Sequence, residues 1–338
     1  MKLLRVELRD FRCFGEARFD LCHDGEPLDV VLLVGDNGSG KTSVLHAISG
    51  LLTQLAGEYG ADPPALADVR DGAEEAQITL RWRDLVGDRM EQLEIGACIS
   101  RTAGRRPAGI SFANAQGPLE PWRQQVVDES RRSTGMIVAF DSHRILPTER
   151  LAGPNIANVP TRRCVQSMTP TVRRQGGLER RFALLKQWIV NLDFLRAKAK
   201  ADRNLELPLW DTLRSGLDAL LSPYTFERVD DRFEVLMSSP TGIVPIEALS
   251  EGHRSVFVIV GELLFRLSLC TSSPGRVLEQ EGVCLIDEID LHLHPRWQES
   301  VLPGLRTLFP NVQFIATTHS DLVMASVRPH NIFRLEVT

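Results

Sequence analysis

Val30-Val31-Leu32-Leu33-Val34-Gly35-Asp36-Asn37-Gly38-Ser39-Gly40-Lys41-Thr42-Ser43-Val44-Leu45-His46-Ala47-Ile48 is the stretch that decides the fold. The apolar run ending at Val34 reads as a buried strand, and the run from Thr42 to Leu52 reads as a helix. Between them, Gly35 to Thr42 fits G-x-x-x-x-G-K-[ST], the pattern of a phosphate-binding loop. Its glycines let backbone N–H groups close around phosphate oxygens. The helix start adds the positive end of its dipole. Gly35, Asn37, Gly38, Ser39, Gly40 and Ser43 are the expected cradle. Lys41 is expected to reach the β- and γ-phosphates, and the Thr42 hydroxyl to ligate Mg²⁺. The competing reading is a chance glycine-rich turn. The strand–turn–helix context and the motifs that follow weigh against it.

Val283-Cys284-Leu285-Ile286-Asp287-Glu288 is an apolar strand ending in two carboxylates. Asp287 suits a role beside Mg²⁺, holding its waters. Glu288 suits a general base for an attacking water. Adjacent strand residues point to opposite faces, so Glu288 must sit where the strand ends and turns. Leu249-Ser250-Glu251-Gly252-His253-Arg254 precedes a long apolar helix, Ser255 to Leu269. Taken alone, Ser-Glu-Gly is a common helix cap. With a phosphate loop elsewhere in the chain, Ser250 and the free N–H groups around Gly252 become candidates for a second phosphate contact. His319 closes the strand Val312 to Thr318, where a histidine can sense a terminal phosphate. His292 and His294 alternate as a metal pair would, but no third ligand lies nearby in sequence, which favours a structural reading.

The order of these motifs resembles that of ABC ATPases: phosphate loop, signature (Leu249 to Arg254), Asp-Glu, D-loop (Ile289 to Pro295), His319. Met1 to Phe14 is similar to the first strand and turn of the RecF/SMC class, and the resemblance implies that Arg12 contacts nucleotide. Asp36 to Lys41 is that class's form of the loop. Arg254, two after the signature glycine, also resembles the class, whereas transporter cassettes usually carry Gln in place of His253. Leu285 to Gln298 and Phe309 to Ser320 are similar to bacterial OLD-related ATPases and to the ATPase of Septu-type antiphage systems. The resemblance implies ATP and Mg²⁺ as cofactors. It also implies that Ser250 of one copy meets the γ-phosphate held by another. One departure concerns the Q-loop glutamine. Met136 to Phe140 runs into Asp141-Ser142-His143-Arg144 where that loop belongs, and Asp141, His143 or Gln166 are the candidates to replace it.

Composition sets further bounds. At 338 residues the chain suits two domains, or one large domain with an insertion. The longest apolar run, Val256 to Phe265, is broken by Gly261 and Glu262 and is too short to span a bilayer. The N-terminus opens on a strand with no signal peptide. The six cysteines show no framework or metal spacing. A reducing cytoplasm is therefore expected. Net charge is -5, but residues 99–200 carry 18 Lys and Arg against 7 Asp and Glu. Such a segment could follow nucleic-acid phosphates. It could equally be a solvated insertion or a face for an acidic partner, and few aromatics interleave for base stacking.

The expected fold class is α/β: a P-loop ATPase head with a mixed β-sheet lobe and a helical lobe, without a long coiled coil. Leu3 to Leu8, Ala17 to Leu21, Gln77 to Trp82 and Gln92 to Ile99 alternate as strands do. Gly57 to Glu75 reads as a mobile loop. Ile145 to Gly177, with four prolines and three glycines, also reads as loop. Leu119 to Arg132, Leu178 to Lys200, Leu209 to Leu221 and Arg296 to Phe309 read as helices. Phe226 to Val229 and Phe233 to Met237 form a hairpin, and Ile332 to Val337 a last strand. The expected division is 1–144, an ATPase lobe with the phosphate loop; 145–248, an insertion and helical lobe; and 249–338, a lobe with signature, Asp-Glu, D-loop and His319.

The resulting expectation is a cytoplasmic ATPase. It dimerises around ATP, or forms a higher oligomer, and controls a partner effector, a nuclease on a separate polypeptide, in antiphage defence. No Toprim-like or HNH-like acidic cluster is seen in the sequence. The rivals are a RecF-type DNA-repair ATPase and an ATP-bound scaffold that hardly turns over.

Overall fold

The computed structural model describes residues 1–55, 64–100, 110–127, 136–142, 144, 151–155, 183–201, 208–271 and 273–336. Strands β1 (Lys2–Phe11) and β2 (Phe14–Asp20) form an antiparallel pair, followed by the short ribbon β3 (Cys22–His23) and β4 (Glu26–Pro27). The apolar β5 (Val30–Gly35) leads into α1 (Lys41–Leu55). Beyond it lie β6 (Glu75–Val86), β7 (Arg89–Ser100), β8 (Ile110–Gln116), α2 (Leu119–Val127) and β9 (Met136–Phe140). The hairpin expected around residues 77–99 is present and longer at both ends. It sits in a five-stranded antiparallel sheet ordered β2-β1-β6-β7-β8.

The helical region holds α3 (Ala183–Ala201) and α4 (Pro208–Leu220). A small antiparallel sheet follows, of β10 (Thr225–Val229), β11 (Val235–Ser239) and β12 (Gly242–Pro245). Its first two strands are the expected hairpin; β12 is an addition to it. Then come α5 (Glu251–Leu269), β13 (Gly282–Ile286), α6 (Pro295–Leu308), β14 (Val312–Thr318), the short α7 (Asp321–Ala325) and β15 (Ile332–Leu335). Among the described residues the longest helices have 19 residues, and none is long and apolar enough to cross a membrane.

The centre is a parallel sheet ordered β15-β5-β14-β13-β9. Its strands are largely apolar because both faces are covered, with buried Gln313, Thr317 and Thr318 on β14 as exceptions. Alternation sends successive side chains into two cores. Val30, Leu32, Val138, Phe140, Cys284 and Ile286 pack with α3 to α6. Val31, Leu33, Ile137, Ala139, Val283 and Leu285 pack with α1 and the antiparallel sheet. Helix α5 is buried almost all round, so its apolar run never thins to a stripe. Glu262 inside it accepts from Arg266 Nε at 2.7 Å, so this buried carboxylate is paired rather than a lone charge.

Gln313, fully buried on β14, joins the two sheets. Its amide donates to the carbonyls of Leu3 (3.0 Å) and Leu28 (2.8 Å), and its oxygen accepts from the Leu3 N–H at 2.7 Å. Part of the stretch expected to be a loop is also tied down. Leu66–Asp68 forms a 3-10 turn, Arg12 N–H donates to the Asp68 carbonyl at 2.7 Å, and Arg70 N–H donates to that of Asp10 at 2.8 Å. Pro63, Pro64 and the acidic residues hide this order from a local reading, because tertiary hydrogen bonds supply it.

Candidate nucleotide site

The phosphate loop lies between β5 and α1 at the C-terminal end of the parallel sheet, where open α/β sheets place their ligands. Gly40 has φ +95°, and a Cβ there would come within 2.4 Å of Phe14 and 2.5 Å of Cys13. No side chain fits in that conformation at that spacing. Lys41 Nζ donates to the carbonyls of Gly35 (2.8 Å) and Asp36 (2.9 Å), which keeps its charge at the loop. Burial lowers the ammonium from its ordinary pKa, and Asp287 and Glu288 act in the opposite sense. Ser39 Oγ is buried with no hydrogen-bond partner. An orphaned donor of that kind inside a glycine cradle fits a phosphate oxygen.

Thr42 Oγ1 donates to the Asp287 carboxylate, with oxygens at 2.9 and 3.1 Å. Thr317 Oγ1 on β14 donates to the same carboxylate at 2.6 Å and accepts from the Glu288 N–H at 2.7 Å. One hydroxyl thus fixes both acidic residues. Strand β13 ends at Ile286, and Glu288 turns out of it with φ +48°. A non-glycine residue held there costs on the order of 1–3 kcal/mol. The Leu291 N–H to Glu288 carbonyl bond (3.0 Å) and the Ile289 N–H to Thr317 carbonyl bond (3.0 Å) hold the turn. A hydroxyl and a carboxylate in contact form the oxygen donor set that Mg²⁺ takes, with waters completing its shell.

Arg12, Cys13, Asn37, Gly38, Gly40 and Lys41 line a cavity of about 310 Å³, together with Thr42, Ser43, Asp287, Glu288 and His319. That volume lies at the small end of ligand pockets. Arg12, in a left-handed turn at φ +51°, holds Asp68 through Nε at 2.7 Å, and its Nη1 lies 3.5 Å from Ser43 Oγ. His46 of α1 reaches the other Asp68 oxygen at 3.5 Å. Burial opposes charge on Asp68. Hydrogen bonds from His46, the Ala65 N–H and Arg12 nonetheless hold its carboxyl well below the usual carboxylate range. The His319 N–H points to Asp290 Oδ1 at 3.4 Å, an oxygen also held by Thr318 Oγ1 at 2.6 Å.

Ser250 and Gly252 are not part of this cavity. They start α5, where Ser250 is the N-cap and its hydroxyl meets His253 Nδ1 at 2.6 Å. A Cβ on Gly252 would stand 2.5 Å from the His292 carbonyl oxygen, so this glycine lets the helix start press against the D-loop. His292 pairs with Glu251 at 3.1 Å and His294 caps α6, a separate structural task for each. Of the three Q-loop candidates, Asp141 is described, while His143 and Gln166 lie outside the described residues. Sequence reading missed Arg144, Thr317 and Asp68. Thr317 and Arg144 stood beside flagged residues, and only their long-range partners reveal them.

Residues 5–132 match a family described as "AAA domain", and residues 194–325 match one described as "AAA domain, putative AbiEii toxin, Type IV TA system". An 88-residue segment, 26% of this chain, is 41% identical to the "Retron Ec83 probable ATPase" of Escherichia coli and spans 16% of it. Over 326 residues, 94% of this chain, identity to the Septu protein PtuA of Bacillus mycoides (strain KBAB4) is 36%, spanning 38% of that protein. The chain therefore matches well under half the length of these curated relatives. The fold is similar to that of an SMC head bound to the C-winged helix domain of ScpA. The TM-score is 0.52 at 17% identity, over 97% of this chain and 92% of that one.

Proposed function

We propose that this chain, an ATPase head of the SMC/RecF class similar to Septu protein PtuA and retron ATPases, binds and hydrolyses ATP, closes into a dimer around two nucleotides, and through that closure controls a separate effector, a nuclease, in antiphage defence. One observation carries the reading. The cavity gathers the phosphate loop, Thr42, Asp287, Glu288 and His319, while Ser250 and Gly252 stand at a different surface of the same chain. A site with phosphate and metal ligands but no signature residue is completed by a second copy.

Each residue then has a task. Lys41 and the loop N–H groups neutralise phosphate charge. Thr42 and Asp287 would hold Mg²⁺, which supplies Lewis-acid stabilisation of the phosphoryl oxygens. Glu288 orients a water and accepts its proton. His319 and Arg12, which both line the cavity, would reach toward the terminal phosphates. ATP becomes part of the interface, and its hydrolysis favours the open assembly. The similarity to Septu protein PtuA supports defence as the setting. The basic 99–200 segment, half of it outside the described residues, remains a candidate nucleic-acid surface. A slower, scaffold-like behaviour is favoured by one feature: among the described residues, no glutamine lines the cavity.

The test is the mass of the purified chain with and without ATP and Mg²⁺, for wild type and Glu288→Gln, alongside phosphate release. Dimerisation of Glu288→Gln by ATP, with phosphate released only by wild type, supports the switch. A mass indifferent to ATP with no release by either rejects it in favour of a scaffold.

A further inference from the structure

Arg144 lies just past the C-terminal end of β9 and is only 6% exposed. Its guanidinium donates to four groups on three segments. Nη1 reaches the carbonyls of Asp141 (2.9 Å) and Asp287 (2.7 Å), and Nη2 reaches that of Glu288 (2.9 Å). Nε reaches the Ser255 hydroxyl at 2.6 Å. The bonds to Asp287 and Glu288 clamp the backbone of the acidic turn, including the left-handed Glu288, and the bond to Asp141 ties that clamp to the end of β9. The fourth grips α5 one turn beyond Ser250 and Gly252.

The acidic turn belongs to this chain's own nucleotide site. The start of α5 does not line that site's cavity; Glu251, Arg254 and Ser255 line a separate one beside Arg144. A planar fork with fixed donor directions can hold these acceptors together, whereas a lysine ammonium, a point charge on a flexible stem, cannot reproduce the pattern. A shift of α5 therefore moves the Asp287–Glu288 backbone with it, and the reverse. Gly252, pressed against His292 three residues beyond Ile289, offers a second contact in the same direction.

We propose that Arg144 is a positioning residue that couples the acidic turn of one nucleotide site to the signature helix that the same chain presents to the other. The proposal rests on the ATP-closed dimer described above. Contact with nucleotide in the second site draws on α5, and through Arg144 it sets the Glu288 backbone in the first. Two sites linked in this way hydrolyse cooperatively.

The test compares wild type with Ser255→Ala, Ser255→Thr and Arg144→Lys. Ser255→Ala removes only the helix end of the link and leaves the clamp on the turn. Three quantities are read: affinity for a fluorescent ATP analogue, the rate of phosphate release against ATP concentration, and ATP-dependent mass in a Glu288→Gln background. The expected result for Ser255→Ala and Arg144→Lys is affinity within twofold of wild type, kcat down roughly 10–100-fold, and a Hill coefficient reduced to one. Ser255→Thr restores both. The coupling is overturned if Glu288→Gln dimerises with ATP and the Ser255→Ala rate curve keeps the wild-type Hill coefficient, or if affinity and kcat fall together as in a loosened fold. If Glu288→Gln itself stays monomeric, the dimer reading fails and takes the coupling with it, and the mass readout tells that case apart.

Discussion

Thr42 and Asp287 are separated by 245 positions in the chain, yet the hydroxyl of one donates to the carboxylate of the other at 2.9 Å. The pair joins the start of α1 to the end of β13 across the parallel sheet. Thr317, from the strand between β5 and β13, holds the same carboxylate from behind. Three adjacent strands thus converge on one oxygen pair, so the sheet order itself builds the proposed metal site.

Asp287→Ala should abolish the dependence of nucleotide affinity on Mg²⁺. The wild-type chain should bind a fluorescent ATP analogue at least about tenfold more tightly with Mg²⁺ than with EDTA. The variant should show one weak affinity in both. A variant that retains the Mg²⁺ effect would move the ion away from Asp287.

Thr317→Val should lower both stability and turnover. Valine has a similar shape but leaves the Glu288 N–H without its acceptor and Asp287 without its shortest donor. Leaving such buried groups unpaired costs about 1–3 kcal/mol. Thermal unfolding and phosphate release report the two effects, and Thr317→Ser should restore both. Unchanged turnover in a clearly destabilised Thr317→Val chain would confine Thr317 to a structural role.

Gly252→Ala should separate nucleotide binding from dimerisation. The added Cβ meets the His292 carbonyl oxygen at 2.5 Å, so the helix start or the D-loop must shift. Neither lines the nucleotide cavity. The expected outcome is wild-type affinity for ATP, within twofold, and loss of the ATP-induced mass increase in a Glu288→Gln background. A parallel loss of affinity would contradict the placement of the signature outside the chain's own site.

The elements that could be read from sequence are those whose cause is local. Gly35 to Thr42 announces itself because glycine, lysine and threonine must stand at fixed offsets. The run Val283 to Ile286 shows where Asp287 and Glu288 emerge from a buried strand. Arg144 shows the opposite case. Its partners at Ser255, Asp287 and Glu288 lie 111 to 144 positions away, and no local pattern marks an arginine as buried. Gln313 looks like one polar residue in an apolar strand until Leu3 arrives beside it. The turn at Leu66–Asp68 follows breakers and acidic residues that ordinarily signal loop, and Arg12 and His46 give it order. Strand β12 is only four residues long, too short for alternation to show.

Asp68 should make stability pH-dependent in a defined direction. Its carboxyl is held below the ordinary carboxylate range in the folded chain, against the effect of burial, by His46, the Ala65 N–H and Arg12. A depressed folded-state value means that the unfolded chain takes up the proton first as pH falls. The stabilisation is therefore fully present above the unfolded value of about 4 and is lost as pH drops below it toward the folded value. Asp68→Asn should be less stable than wild type at pH 7 by about 1–3 kcal/mol, the scale for charge-assisted hydrogen bonds. The gap should narrow steadily below about pH 4. Urea unfolding of both chains between pH 3 and pH 8 measures it. Because Arg12 lines the cavity, the same substitution should weaken ATP binding at pH 7 even where the fold is intact. A constant stability gap across the whole pH range would show that Asp68 contributes through shape rather than through its charge.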